Sequence, residues 1–449
     1  MLKLSQGASF MKMLLAENQI IQNQSDLLAI FKSGIKQTQT LGVEFEKLPI
    51  NKNSYKAAEF FFKNGMLDFL TKYKEATNFV PCYENDILLG LYSNFGNISL
   101  EPGCQLEYSI KPLENILEIE KALKLYNQKT NELGEALGIK FLALGLQPIS
   151  TYENIKIIPK KRYTFMTNYL KNEASMPFVM MRESAGIQVS IDYASEEDAM
   201  LKLSTALKLS PFLSTFFSNS PIRNGKLNGY KSLRNIAWLN TDNKRCGLIS
   251  KELLKNNPEF SFEQYAKILL DIPMIFQKNK YVGKMTFSEA IKSQQATISD
   301  WQTHLSLFFP DVRLKNYIEI RNHDCQMPQV AMAIPALYKG IFYSTEGIKK
   351  TQELFKDFNY YDYEFVKHNG PRFGLEFKIK NKNIKNIVEE IFTIAKEGLK
   401  EFNLGEEKYL EAAEELLNDN KTPADVIIQN FEGSWNGKIE KLIQYAQIN

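Results

Sequence analysis

Three short segments of this sequence alternate apolar residues with side chains able to hold a metal ion or a phosphate. In Gly42-Val43-Glu44-Phe45-Glu46, the i, i+2 spacing of a strand puts Glu44 and Glu46 on one face and Val43 and Phe45 on the other. In Gly186-Ile187-Gln188-Val189-Ser190-Ile191-Asp192, the apolar residues take one face and Gln188, Ser190 and Asp192 the other. In Tyr317-Ile318-Glu319-Ile320-Arg321, Glu319 and Arg321 share a face. A fourth segment carries Glu101 and Glu107 on either side of Pro102-Gly103, a pair that reverses chain direction, so a hairpin would bring the two acids together.

An acid on a half-buried antiparallel strand ordinarily faces water, and for any one of these segments that is the commoner case. Several such strands together are different. Carboxylates gathered on one sheet face raise each other's proton affinity unless a cation neutralises them. Oxygen-rich sets of this kind suit magnesium, which keeps waters and is shared between carboxylates and substrate phosphates. The pattern points to an ATP site without a phosphate-binding loop, since the sequence holds no Gly-x-x-x-x-Gly-Lys-Ser/Thr and no Gly-x-Gly-x-x-Gly after a strand.

Other chemistries find little support. The three histidines, His304, His323 and His368, belong to no recognisable nucleophile motif. His304, in Trp301-Gln302-Thr303-His304, reads as structural; His323, two residues beyond Arg321, could stand near the chemistry, though a structural place is the commoner case. Cys82, Cys104, Cys246 and Cys325 are scattered, without CxxC or zinc-like spacing, and read as free cytosolic thiols. Lysine and arginine number 55 against 52 acids, a net charge of +3, which lacks the basic excess of a protein that reads nucleic-acid backbones.

The elements that must position these residues are legible from hydrophobic period. Period-two stretches around Val43 and Phe45, Leu100 and Leu106, Ile187 to Ile191, and Ile318 and Ile320 predict strands. Helical spacing runs through Leu113, Ile116, Leu117, Leu123, Tyr126, Leu133 and Leu137, and through Ile384, Ile387, Val388, Ile391, Ile394, Ala395 and Leu399. An apolar patch at Phe10, Met11, Met13, Leu14 and Leu15, interrupted by Lys12 and Glu17, predicts a helical lead over residues 1–38 and not a signal peptide. No run approaches the about 18 apolar residues of a membrane span. With 44% hydrophobic residues and no linker or repeat, the expectation is a single cytoplasmic domain over 1–449.

Taken in order, these segments resemble the glutamate-cysteine ligases of the plant and proteobacterial type. The likeness runs from Gly42-Val43-Glu44-Phe45-Glu46-Lys47 through Ser99-Leu100-Glu101-Pro102-Gly103, Phe141 to Pro148, Arg162-Tyr163 and Gln188 to Asp192. It continues through Phe217-Ser218-Asn219-Ser220-Pro221, Ser232-Leu233-Arg234 to Trp238, Asp271-Ile272-Pro273, Phe309 to Lys315, Tyr317 to Arg321, Thr422-Pro423-Ala424 and Gly433-Ser434-Trp435. No single motif carries the resemblance; their order does.

The resemblance implies an α+β fold of the glutamine synthetase and guanidino kinase kind, a curved, mainly antiparallel sheet with helices on its outer face. It implies ATP-dependent joining of the γ-carboxylate of L-glutamate to the amine of L-cysteine through a γ-glutamyl phosphate, with Mg2+ as the metal. The metal ligands it suggests are Glu44, Glu46, Glu101, Glu107, Gln188 and Glu319. Arg321, beside Glu319, would stabilise the transferred phosphoryl group, Arg313 and Lys315 would assist with ATP, Arg234 would take the glutamate α-carboxylate, and Trp238 would shape that pocket. A relative with another acceptor amine, or a scaffold that has lost catalysis, are the alternatives; the protein would act as a monomer or homodimer. The run Met181-Arg182-Glu183-Ser184-Ala185-Gly186 departs from the family pattern, which bears on the acceptor.

Overall fold

The longest strand, β1 (Leu41–Asn51), carries the first pair of acids and sits near the middle of the main sheet. In this computed structural model, residues 19–255, 259–278 and 280–448 are described. The sheet's other strands are β2 (Val80–Glu84), β3 (Ile87–Tyr92), β4 (Gly96–Leu100), β5 (Leu106–Leu113), β6 (Ile139–Leu142), β7 (Gly186–Ile191), β8 (Val312–Leu314) and β9 (Ile318–Asp324). Their order is β8-β9-β7-β1-β5-β4-β3-β2, with β6 paired to the second half of β1. Every pairing in it among the described residues is antiparallel. All the predicted strands are present.

Eight helices matter for the site: α1 (Ile116–Leu137), α2 (Lys161–Leu170), α3 (Pro177–Glu183), α4 (Glu196–Phe216), α5 (Leu233–Leu239), α6 (Ala333–Phe342), α7 (Tyr360–Phe373) and α8 (Ile384–Glu401). The apolar face of the sheet, including Val43, Phe45, Val189, Ile191 and Ile320, is buried with residues of these helices in one large core cluster. Helix α4 packs on β8 and β9, and α6 on β1 and β7. It starts where Ser195 accepts a hydrogen bond from the Asp198 amide at 3.1 Å and has three acids in its first turn, both favourable at the positive end of a helix dipole. Helix α8 buries Ile384, Ile387, Val388, Ile391, Ala395 and Leu399, as their spacing predicts.

Two helix expectations need correction. Leu113 is the last residue of β5, and α1 begins only after Asn115, whose side chain accepts from the Glu118 amide at 2.8 Å. That cap sets the boundary, and apolar spacing alone runs through it. Leu117 is 42% exposed, so it lies off the buried stripe. In the N-terminal lead, a helix covers Gln24–Lys32; the apolar patch from Phe10 to Leu15 lies outside the described residues. No helix among those described is long and apolar enough to cross a membrane.

Candidate active site

Residues directly opposite each other on neighbouring strands point to the same side of a sheet. Glu44 is opposite Gln188, Glu46 opposite Glu107, Ser99 opposite Glu107, Ser190 opposite Glu319, and Glu319 opposite Arg313. The register thus carries one polar face across six strands, from β4 to β8. The short turn after β4, closed by the Glu101 amide donating to the Gln105 carbonyl at 2.9 Å, folds Glu101 to the same side. A cavity of about 410 Å³ lies there, bordered by Glu44, Glu46, Glu101, Glu107, Gln188, Glu319, Arg321, Arg313, Lys315, Arg234 and Trp238. All the sequence-derived site residues border it.

The carboxylates divide into two electrostatic groups. Burial, and then the charge of Glu319, raise the pKa of Glu44 to about 7 against the pull of Arg321 and Lys315. Burial, and then Glu101, raise Glu46 to about 7 although Arg234 and the Gly186 amide, 2.5 Å away, oppose the shift. Glu107 is pushed well above the carboxylate range by burial and by Glu44, Glu101 and Glu46, despite hydrogen bonds from Ser99 at 2.9 Å and Ser109 at 3.1 Å. Glu319 behaves oppositely: burial would raise it, but Arg313, Lys315 and Arg321 together hold it well below the usual range.

The first group fits a hard divalent cation. Its donors are all oxygens, and their raised proton affinity is what crowded carboxylates show without a counter-charge. No three His, Cys, Asp or Glu side chains among the described residues converge closely enough to hold an ion by themselves. Magnesium characteristically keeps waters and shares itself between carboxylates and phosphate oxygens.

Glu319 and Gln188 are already engaged. Arg321 Nη1 donates to Gln188 Oε1 at 2.5 Å and to Glu319 Oε2 at 3.1 Å. Gln188 Nε2 donates to Glu46 Oε1 at 3.3 Å. These contacts link Arg321 to the carboxylate cluster. The guanidinium of Arg321 also lies over the Trp238 and Phe309 rings, 5.9 and 6.0 Å from their centroids.

Arg313 is turned inward. Its Nε donates to Glu319 Oε2 at 2.7 Å, its Nη2 forms an ion pair with the same oxygen, and its Nη1 donates to the carbonyls of Ser306 and Phe308 at 3.0 and 2.8 Å. It supports Glu319. Lys315 Nζ stands 3.6 Å from Glu319 Oε1 and 4.5 Å from the Tyr317 ring centroid, at the cavity edge.

Arg234 is placed by the start of α5, where the Asn235 amide donates to Ser232 Oγ at 3.1 Å. Its guanidinium is buried, 3.8 Å from Asp324 and donating to the Arg321 carbonyl at 3.3 Å, yet Nε and Nη1 have no hydrogen-bond partner. A guanidinium can pair with a carboxylate through two parallel hydrogen bonds, and these two donors are left unused beside the cavity. Gly186 leaves it room: a Cβ there would stand 2.2 Å from Arg234 Nη2. Trp238 follows one turn later on the same helix face.

His323 is not at the site. A bulge sets three steps of β9, from Ile320 to His323, against two of β7, from Val189 to Ile187, and so turns His323 to the helix side. There its Nε2 lies 2.9 Å from Tyr338 Oη, between the rings of Phe217 and Tyr338. His304 is buried as its neighbours predict, with Nε2 2.9 Å from the Leu269 carbonyl and its ring against Phe287 and Trp301.

The cavity also takes residues that sequence reasoning gave no role: Lys160, Arg162 and Tyr163 near α2, and Met166, Met180 and Met181 on α2 and α3. Tyr163 Oη donates to Glu101 Oε1 at 3.3 Å, and Arg162 holds Ser306 through its hydroxyl and carbonyl, both at 2.8 Å. The Arg162-Tyr163 pair was a signal in the sequence; the methionines, on short helices, gave none.

A model of Glutamate-cysteine ligase family 2 (GCS2) matches residues 40–445. The chain is 31% identical over 434 residues to the chloroplastic glutamate-cysteine ligase B of Oryza sativa subsp. japonica, spanning 94% of this chain and 86% of that one. It is 30% identical to the chloroplastic glutamate-cysteine ligase of Arabidopsis thaliana, over 94% of this chain and 82% of that one. The crystal structure of a glutamate-cysteine ligase from Francisella tularensis in complex with AMP has the same fold, with a TM-score of 0.51 at 13% identity over 89% of this chain and 86% of that one. By the extent of these matches, the chain belongs to glutamate-cysteine ligase family 2.

Proposed function

We propose that this protein is a glutamate-cysteine ligase, joining the γ-carboxylate of L-glutamate to the amine of L-cysteine with conversion of ATP to ADP and phosphate, the first step of glutathione biosynthesis. The family membership supports the activity. The observation that carries the mechanism is Arg321, bridging Gln188 and Glu319 at the edge of a cavity whose other wall holds Glu44, Glu46, Glu101 and Glu107.

A carboxylate is a poor electrophile, so activation comes first: a glutamate γ-oxygen attacks the γ-phosphorus of ATP, ADP leaves, and γ-glutamyl phosphate forms. The amine of cysteine then attacks the γ-carbon, loses a proton and expels phosphate. Arg234, with its unused donors, pairs with the α-carboxylate of glutamate, and Trp238 borders that pocket. Arg321 donates to the equatorial oxygens of the phosphoryl group in transit, where its planar fork meets charge that grows in the transition state. Glu44, Glu46, Glu101 and Glu107 would hold magnesium, with Gln188 and Glu319 beside them on the same sheet face. Magnesium, when bound, neutralises the crowded phosphate oxygens. Arg313 acts through Glu319, and Lys315, 3.6 Å from Glu319 at the cavity edge, assists with the phosphates.

The four cysteines are all unpaired, which suits a reducing compartment, and the cytoplasm is our reading of the location. Purified protein with magnesium, ATP and glutamate should release ADP when cysteine is added, and γ-glutamylcysteine should be found by mass. Turnover with some other amine alone would keep the activation step and change the product.

A further inference from the structure

Arg234 has a buried neighbour that the chemistry above does not use. Asp324, the last residue of β9, is 0% exposed and stands opposite Gly186 of β7. The bulge that turns His323 to the helices returns Asp324 to the cavity side, because Gly186 alternates in step with Gln188 and opposed residues share a face. Both of its carboxylate oxygens are taken. Oδ2 accepts from the Asn219 amide at 2.8 Å and from Ser220 Oγ at 2.7 Å, and Oδ1 accepts from Ser232 Oγ at 3.0 Å. The two hydroxyls in turn hold the start of α5: Ser220 Oγ accepts from the Arg234 amide and Ser232 Oγ from the Asn235 amide, each at 3.1 Å. Gly145 leaves room for the carboxylate, since a Cβ there would stand 2.5 Å from Asp324 Cγ.

Resting on the ligase reading above, we infer that Asp324 is the positioning residue for Arg234, acting through Ser220 and Ser232, and that it sets the affinity for glutamate. Hydrogen bonds to an ionised acceptor are the strong ones, and here they fix the backbone from which the Arg234 side chain springs. Asp324 also supplies counter-charge to a guanidinium whose burial would otherwise be costly. It does so from 3.8 Å, beyond hydrogen-bond reach, because its oxygens are committed to the amide and the hydroxyls. Nε and Nη1 of Arg234 therefore stay available to the α-carboxylate of glutamate. A direct two-point pair between Asp324 and Arg234 would neutralise the arginine equally and occupy the donors that the substrate needs. Asp324 does not border the cavity, so its effect falls on the binding of glutamate and not on phosphoryl transfer.

Asp324→Asn keeps the shape and removes the charge. It also turns one oxygen into a donor that must face an existing donor, either the Asn219 amide with Ser220 or Ser232 with Arg234. KM for glutamate should rise roughly tenfold, with kcat and KM for ATP within about twofold, the pattern of lost ground-state binding. Ser220→Ala takes one hydroxyl from Asp324 and the partner from the Arg234 amide, and should raise KM for glutamate alone by roughly three- to tenfold. Cooperative thermal unfolding identifies folded variants; if Asp324→Asn does not fold, Ser220→Ala decides. An unchanged KM for glutamate, a rise shared equally by KM for ATP, or a loss of kcat with both KM values unchanged would overturn the inference and leave the ligase reading standing. Absence of ADP release by the unaltered protein with every amine would overturn the ligase reading itself.

Discussion

Arg321 and Gln188 meet across the join of β9 and β7, with Nη1 of the arginine 2.5 Å from Oε1 of the amide, beside the bulge that separates Ile320 from His323. The bulge gives β9 two kinds of side chain within five residues. Glu319 and Arg321 face the cavity, and His323 faces the helices. Without it, strict alternation would keep His323 with the arginine.

Arg321→Ala should lower kcat by about 10²- to 10³-fold, since it removes a donor to charge that develops in the transition state. Thermal unfolding followed by circular dichroism should remain cooperative. Near-normal turnover would take Arg321 out of the mechanism.

Glu46→Gln removes one charge from the crowded cluster and one anionic oxygen from the proposed magnesium site. Titrating magnesium in the ADP-release assay should show a higher requirement and a lower maximum. An unchanged titration would mean that the carboxylate face is not where magnesium acts.

Arg313→Met tests the inward-facing arginine. Glu319 is buried and takes two contacts from it, so loss of the partner leaves a carboxylate short of counter-charge at a cost of about 3–5 kcal/mol. Urea unfolding should report a lower midpoint. A change in KM for ATP without loss of stability would instead favour direct contact with the nucleotide.

Metal-free protein should lose stability as pH rises. Glu44 and Glu46 have folded-state values of about 7 against 4.5 for the ordinary carboxyl. Between those values the native state binds more protons than the unfolded one, so their contribution is most favourable below about 4.5 and is lost as pH climbs through about 7. Magnesium should reverse the loss, raising Tm more at pH 8 than at pH 6; a metal effect independent of pH would contradict the electrostatic account.

The residues of the polar sheet face were legible because a strand's period is two: Glu44 with Glu46, and Glu319 with Arg321, each announce a shared face from sequence alone. The hairpin acids Glu101 and Glu107 were legible from Pro102-Gly103. What depends on pairing was not. The inward turn of Arg313 follows from the β8–β9 register and from carbonyls at Ser306 and Phe308 that no local pattern displays. The displacement of His323 follows from one bulge. The place of Met180 and Met181 at the cavity wall follows from α3 being tied to a turn some eighty residues earlier, a long-range contact carried by Gln105.

The most direct measurement of the central claim is ADP release by the purified protein with magnesium, ATP and glutamate, in the presence and absence of cysteine, with mass analysis of the product. The account predicts cysteine-dependent ADP and a mass equal to γ-glutamylcysteine. Failure to release ADP or form any γ-glutamyl product with any amine, from folded protein supplied with magnesium, would contradict it.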